Sequence, residues 1–138
     1  MIETRRLTSE EFKQLITEAP ETETVNLRRI LGNEAYVFFD IHALDHFGLF
    51  SDGRPIYMVA LTQMNGHKEL WTVVNSDVRE QFSLFKHCKR TLKHWLDKYK
   101  EIYATMDKMN PKNIAWTKRL GFRVIEETDQ TILFKIGG

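Results

Sequence analysis

Between residues 82 and 99 the apolar side chains Phe82, Phe85, Cys88, Leu92, Trp95, Leu96 and Tyr99 recur with the 3.6-residue period of an α-helix, and the rest of that helix is basic. A helix with one apolar stripe has to lay it against a core, so this segment constrains the chain more than any other. Ser76 or Asp77 stands where its N-cap is expected. Upstream, from Ala35, aromatic and β-branched residues dominate. Ser51-Asp52-Gly53-Arg54-Pro55 and Asn65-Gly66-His67 read as turns, which predicts a three-stranded meander over 44–50, 56–64 and 69–75. Downstream, a short strand over 102–106 leads to Asn110-Pro111 and a helix over 112–120 ended by Gly121. Two strands, 122–127 and 131–136, follow and turn at Thr128-Asp129-Gln130.

The N-terminal third begins with an extended segment over 2–6. A helix then opens at Thr8, with Glu11 at capping-box spacing and Phe12, Leu15 and Ile16 on one face. Pro20 ends it, and a second amphipathic stretch with Val25, Leu27, Ile30 and Leu31 closes at Gly32-Asn33. Two helices are therefore expected before the main sheet, in the order β, α, α, β, β, β, α, β, α, β, β. No repeat, linker or low-complexity stretch interrupts residues 1–138, so one domain is expected.

Composition narrows the function. A 42% hydrophobic and 28% charged chain is neither disordered nor fibrous. No apolar run approaches the ~20 residues that span a bilayer, and the N-terminus lacks a signal-peptide pattern, so a soluble, cytoplasmic protein is expected. Cys88, the one cysteine, cannot form an internal bridge and falls in the apolar stripe, where packing is its expected role. The net charge of +1 hides an asymmetry. Residues 1–50 carry nine acids against five Lys or Arg, and residues 79–123 carry twelve Lys or Arg against four acids. That second stretch would attract anions. Its aromatic residues belong to the core-facing stripe and leave no stacking platform, so nucleic acid is not the expected partner. No P-loop or dinucleotide glycine fingerprint occurs. His42 and His46 are four apart but have no HExxH or paired-cysteine companion, so no metal site is expected.

The segment Asn110 to Phe122, NPKNIAWTKRLGF, with Asn110 eleven residues before Gly121, resembles the motif that GNAT-superfamily acetyltransferases carry after their fifth strand. The order of elements along nearly the whole chain resembles the GNAT order as well. VVNSDVREQFSLFKHCKRTLKHWL, followed by that segment, is similar to small GNAT-like proteins of tailed phages, some of them internal virion proteins. The resemblance implies an α+β fold: one mixed, mostly antiparallel sheet of six to seven strands, flanked by helices and splayed between strands four and five. It also implies acetyl-CoA as cofactor, held by Val73, Val74, Asn75, Arg79, Gln81, Ser83 and Asn110, with an amine as acceptor. Where the family usually has glycines in its pyrophosphate loop, this chain has Phe82 and Leu84, and Glu80 adds a negative charge.

Many GNAT enzymes place a tyrosine four residues before the Gly-Phe glycine, and here that position is Thr117, the counterpart of the general acid. Trp116 beside it reads as a packing residue. His42, Asp45, His46 and Glu69 are candidate bases for deprotonating an acceptor amine, with His46 and Glu69 put forward alongside Thr117. Two functions stay open: an acetyl-CoA-dependent N-acetyltransferase working by direct amine attack, and a cofactor-less GNAT-like protein that binds a phage or host protein, in the host cytoplasm or in a virion.

Overall fold

The computed structural model describes residues 2–32, 35–64, 66–75 and 81–138, without the side chains of Ile2, Asn26, Asp40, Gln81 and Phe82. The expected caps Ser76 and Asp77, with Asn33 and Asn65, lie outside the described residues. Along the chain the elements are β1 (Ile2–Arg5), α1 (Ser9–Glu18), α2 (Glu21–Leu31), α3 (Ala35–His42), β2 (Ala43–Ser51), β3 (Arg54–Met64) and β4 (His67–Val74). They continue with α4 (Gln81–Tyr99), β5 (Glu101–Asp107), α5 (Pro111–Arg119), β6 (Arg123–Glu127) and β7 (Thr131–Gly137).

The strands form one sheet in the order β1-β2-β3-β4-β5-β7-β6. All neighbours are antiparallel except β4 and β5. The mixed, mostly antiparallel sheet flanked by helices is the one the resemblance implies. Local chemistry explains several elements. Thr8 Oγ1 accepts from the Glu11 N–H at 3.3 Å while Glu11 Oε1 accepts from the Thr8 N–H at 2.9 Å, so the capping box opens α1. Asp52 and Gly53 have positive φ (49° and 83°), the two-residue turn whose twist suits the β2–β3 hairpin. At Gly121 φ is 106°, a conformation that glycine adopts without strain as the chain leaves α5 for β6.

Each face of the sheet carries a core. On one face Leu84, Cys88, Leu92 and Trp95 of α4 pack over Tyr57, Val59, Leu61 and Phe134. On the other, Phe12, Leu15 and Ile16 of α1 and Ala35 and Phe39 of α3 pack over Met58, Ala60, Trp71 and Val73. The helix α3 corrects the sequence reading, which has two helices before the main sheet and strand-like residues from Ala35. Its β-branched and aromatic composition favours a strand, but Ala35 and Phe39 are one helical turn apart and both are buried. Phe39 stacks on Phe12 at 5.6 Å and meets Trp71 edge-on at 5.8 Å. Burial of that apolar turn outweighs a local preference worth tenths of a kcal/mol per residue.

Candidate functional site at the open end of β4 and β5

The parallel strands β4 and β5 share one register pair, Glu69 with Tyr103, and then diverge. Backbone groups alternate sides along a strand. The Asn75 N–H reaches back to Ile56 O of β3 at 2.7 Å, so the Val73 N–H also points toward β3 and that of Val74 points outward. This outward donor meets no β5 carbonyl. It bonds Glu23 Oε1, on α2, at 3.0 Å. Asn110 Nδ2 donates to Glu23 Oε2 at 2.9 Å and to Thr22 O at 3.0 Å, and Asn113 Nδ2 lies 3.4 Å from Glu23 Oε1. One carboxylate therefore gathers three donors from β4 and α5 across the mouth of the splay.

Two spaces flank this clasp. Inside the splay, a slot of about 30 Å³ lies among Leu27, Trp71, Thr72, Thr105 and Met106. Outside, a cavity of about 270 Å³ is lined by Pro20, Val74, Met109, Lys112 and Trp116. The first holds about one water, and the second falls just short of the ~300–1,000 Å³ usual for ligand pockets. Two buried donors here have no acceptor among the described residues, Asn75 Nδ2 at the end of β4 and Trp116 Nε1. The Trp116 ring stacks on Phe85 of α4 at 5.8 Å, and the Arg119 guanidinium lies over the other ring at 4.8 Å, which ties α4 to α5.

The remaining expected site residues are spread more widely. Asn110 caps α5 by accepting from the Asn113 N–H at 3.1 Å. Thr117 is buried and its hydroxyl donates to Asn113 O at 2.7 Å. Glu69 is 4% exposed, and its Oε1 accepts from Thr105 Oγ1 at 2.7 Å with His67 Nε2 3.9 Å away. Burial raises its carboxyl above the ordinary range, although the Thr105 hydrogen bond and His67 pull the other way. His46 lies in the cross-strand row His46, Ala60, Trp71, two strand spacings or about 10 Å from β4. There its Nδ1 accepts from the Leu7 N–H at 3.4 Å, and its ring lies 5.0 Å from Phe12. His42 ends α3 against Phe38, so it and His46 belong to different elements. Asp45 is engaged by Arg6 at 2.8 Å and by Trp95 Nε1 at 3.1 Å. Ser83 is exposed on the first turn of α4; Arg79 and the Gln81 side chain lie outside the described residues. Leu84, which stands where the family has a glycine, is 1% exposed and turns into the core, away from the helix start.

Sequence reasoning did not single out Glu23 or Asn113. As an acid in the first turn of α2, Glu23 has an ordinary role at the positive end of a helix, and nothing within ten residues marks it.

Over its full length this architecture superposes on solved acetyltransferases. The PaiA N-acetyltransferase of Thermoplasma acidophilum, solved with coenzyme A, matches 100% of this chain over 99% of its own, at 16% identity and a TM-score of 0.70. A GNAT-family acetyltransferase of Bacillus anthracis matches 99% of this chain over 94% of its own, at 12% identity and a TM-score of 0.68. The fold is the GNAT fold. The ribosomal-protein-S18-alanine N-acetyltransferase of Escherichia coli shares it, over 99% of this chain and 94% of that one, at 15% identity and a TM-score of 0.69. No protein-family model matches the sequence, and no curated protein matches it. At these identities the likeness is one of fold, and the chemistry has to be argued from the GNAT splay itself.

Proposed function

We propose that the chain is an acyl-CoA-dependent N-acyltransferase, most simply an acetyltransferase, whose cosubstrate lies along the open edge of β4. The observation that carries this reading is the outward Val74 N–H, bonded to Glu23 rather than to β5, at a cavity also lined by Trp116; Trp116 Nε1 and, at the end of β4, Asn75 Nδ2 are buried donors with no acceptor among the described residues. A pantetheine arm is rich in amide carbonyls, the acceptors such donors lack. Acyl-CoA supplies a thioester carbonyl carbon for an amine to attack. The chain's own part is to hold that carbonyl on the β4 edge, where an N–H aimed at the developing oxyanion lowers the barrier. As the amine forms its new C–N bond and the C–S bond breaks, the amine proton is relayed toward Glu69, whose partner Thr105, 2.7 Å away, lines the slot inside the splay. The raised pKa of that carboxylate suits it as a base better than an exposed acid. The Thr117 hydroxyl is engaged with Asn113 O, so the departing thiolate takes its proton from solvent.

A second reading is a GNAT-shaped protein without cofactor that binds a phage or host protein. Glu23 favours it, because a carboxylate already satisfies the donor that the cosubstrate needs. Calorimetric titration with acetyl-CoA separates the two. Micromolar binding, with hydrogen-exchange protection along β4, is the expected result. Absence of binding by both the native chain and Glu23→Ala would discard the transferase reading in favour of the second.

A further inference from the structure

A groove of about 660 Å³ lies between α4, the C-terminal end of α5 at Leu120 and Ile136 of β7. Lys86, Lys89, Arg90 and Lys93 form its rim. Their spacing of three, four and seven residues puts them on one helix face, over a rise of about 10 Å. All four are exposed. Among the described residues no carboxylate pairs with Lys89, Arg90 or Lys93, and Asp97 is the one acid between residues 81 and 99. The surplus charge is felt nearby: His87 has its pKa lowered by burial first and by the Arg90 charge second. The floor has a different character. Leu92 is buried there, and Leu96, Leu120 and Ile136 are partly buried against the core, which leaves an aliphatic trough beside the cations.

Like charges held this close cost stability, and an apolar floor left in water forgoes its burial energy. An occupant that relieves both needs carboxylates on one side and an apolar stripe on the other. A nucleic-acid strand would meet the cations but has no use for an aliphatic floor, and no aromatic side chain lines the groove for a base to stack on. We propose that this groove binds an acidic amphipathic helix of a partner protein, its apolar stripe on Leu96, Leu120 and Ile136 and its carboxylates opposite Lys89, Arg90 and Lys93. Helix-in-groove docking supplies the affinity and charge complementarity the orientation. The inference is independent of the transferase reading.

The test uses the full chain and a fluorescein-labelled synthetic peptide of about 14 residues, four helical turns, with leucines at i, i+3, i+4 and i+7 flanked by glutamates. Anisotropy is expected to show micromolar binding. The surface variant Lys89→Glu, Lys93→Glu should weaken it at least about tenfold without lowering the unfolding temperature, and a scrambled peptide of the same composition should be weaker by a similar factor. Excess coenzyme A should leave it bound. Absence of binding, equal binding by the scrambled peptide or by the charge-reversed variant, or tighter binding of a single-stranded oligonucleotide of equal charge would each overturn the proposal.

Discussion

Glu23 and Val74 are 51 residues apart in the chain, yet the carboxylate of one lies 3.0 Å from the backbone N–H of the other, with Asn110 Nδ2 on the second oxygen at 2.9 Å. A side chain from α2 thus completes the hydrogen bonding of a strand edge that β5 leaves open. A ligand on that edge must displace it, so its apparent affinity is reduced by the fraction of molecules in which Glu23 is docked. Glu23→Ala is expected to bind acetyl-CoA at least about tenfold more tightly by calorimetry. The variant should also lose on the order of 1–3 kcal/mol of stability, because three donors lose their acceptor. Unchanged affinity together with unchanged stability would show that the contact closes nothing.

Glu69 sets a pH dependence whose sign follows from its burial. Its carboxyl titrates above the ordinary range in the folded chain, so the folded state holds a proton that the unfolded state has already released. That contribution to stability is complete at or below the ordinary carboxylate pKa of ~4.3 and is lost as pH rises through the raised value. Urea unfolding at a series of pH values should show a shallower decline for Glu69→Gln than for the parent. If acetyl transfer is measured on the same variant, a loss of about a hundredfold or more is expected of a missing base.

At the start of α1, Thr8→Ala removes the capping hydroxyl and should cost about 1 kcal/mol, seen as a lower unfolding temperature. Glu11 completes the same box. The Arg5 guanidinium, at 2.6–2.8 Å, is the main reason its carboxyl titrates down at about 2. The stability this supplies is present above the ordinary carboxylate range and fades as pH falls toward that value. Arg5→Ala should therefore narrow the stability difference between neutral and acid solution, and an unaltered acid limb would refute the coupling.

Trp95 is 1% exposed at the centre of the α4 core, and its Nε1 donates to Asp45 Oδ2 at 3.1 Å. Truncation to Ala should cost about 3–5 kcal/mol in denaturant unfolding. Phe in its place keeps most of the volume and forfeits one hydrogen bond to a charged acceptor, so its cost should be clearly smaller.

Much of the fold could be read residue by residue. The Thr8–Glu11 box, the Asp52-Gly53 turn, the stripe of α4 and the Asn110-to-Gly121 span each depend on atoms within a few residues of one another, which is why spacing alone locates them. The site was less legible. Val74 and Asn110 are at the mouth of the splay, but Thr117 has its hydroxyl turned onto Asn113 O, and His46 lies about two strands away from β4. Leu84, which reads as an obstruction in a phosphate loop, is a core residue.

By itself the sequence determined the local grammar of the chain: the helical and strand periods, the caps and the turns. These follow from short-range sterics and hydrogen bonds that any window of a dozen residues contains. The tertiary structure alone decided that residues 35–42 coil as α3, that Glu69 is buried deeply enough to raise its pKa, and that Glu23 closes the edge of β4. Each of those depends on contacts between residues some 25 to 90 positions apart, such as Phe39 with Phe12 and Glu23 with Asn113. Their energies come from desolvation and packing, which no local pattern encodes.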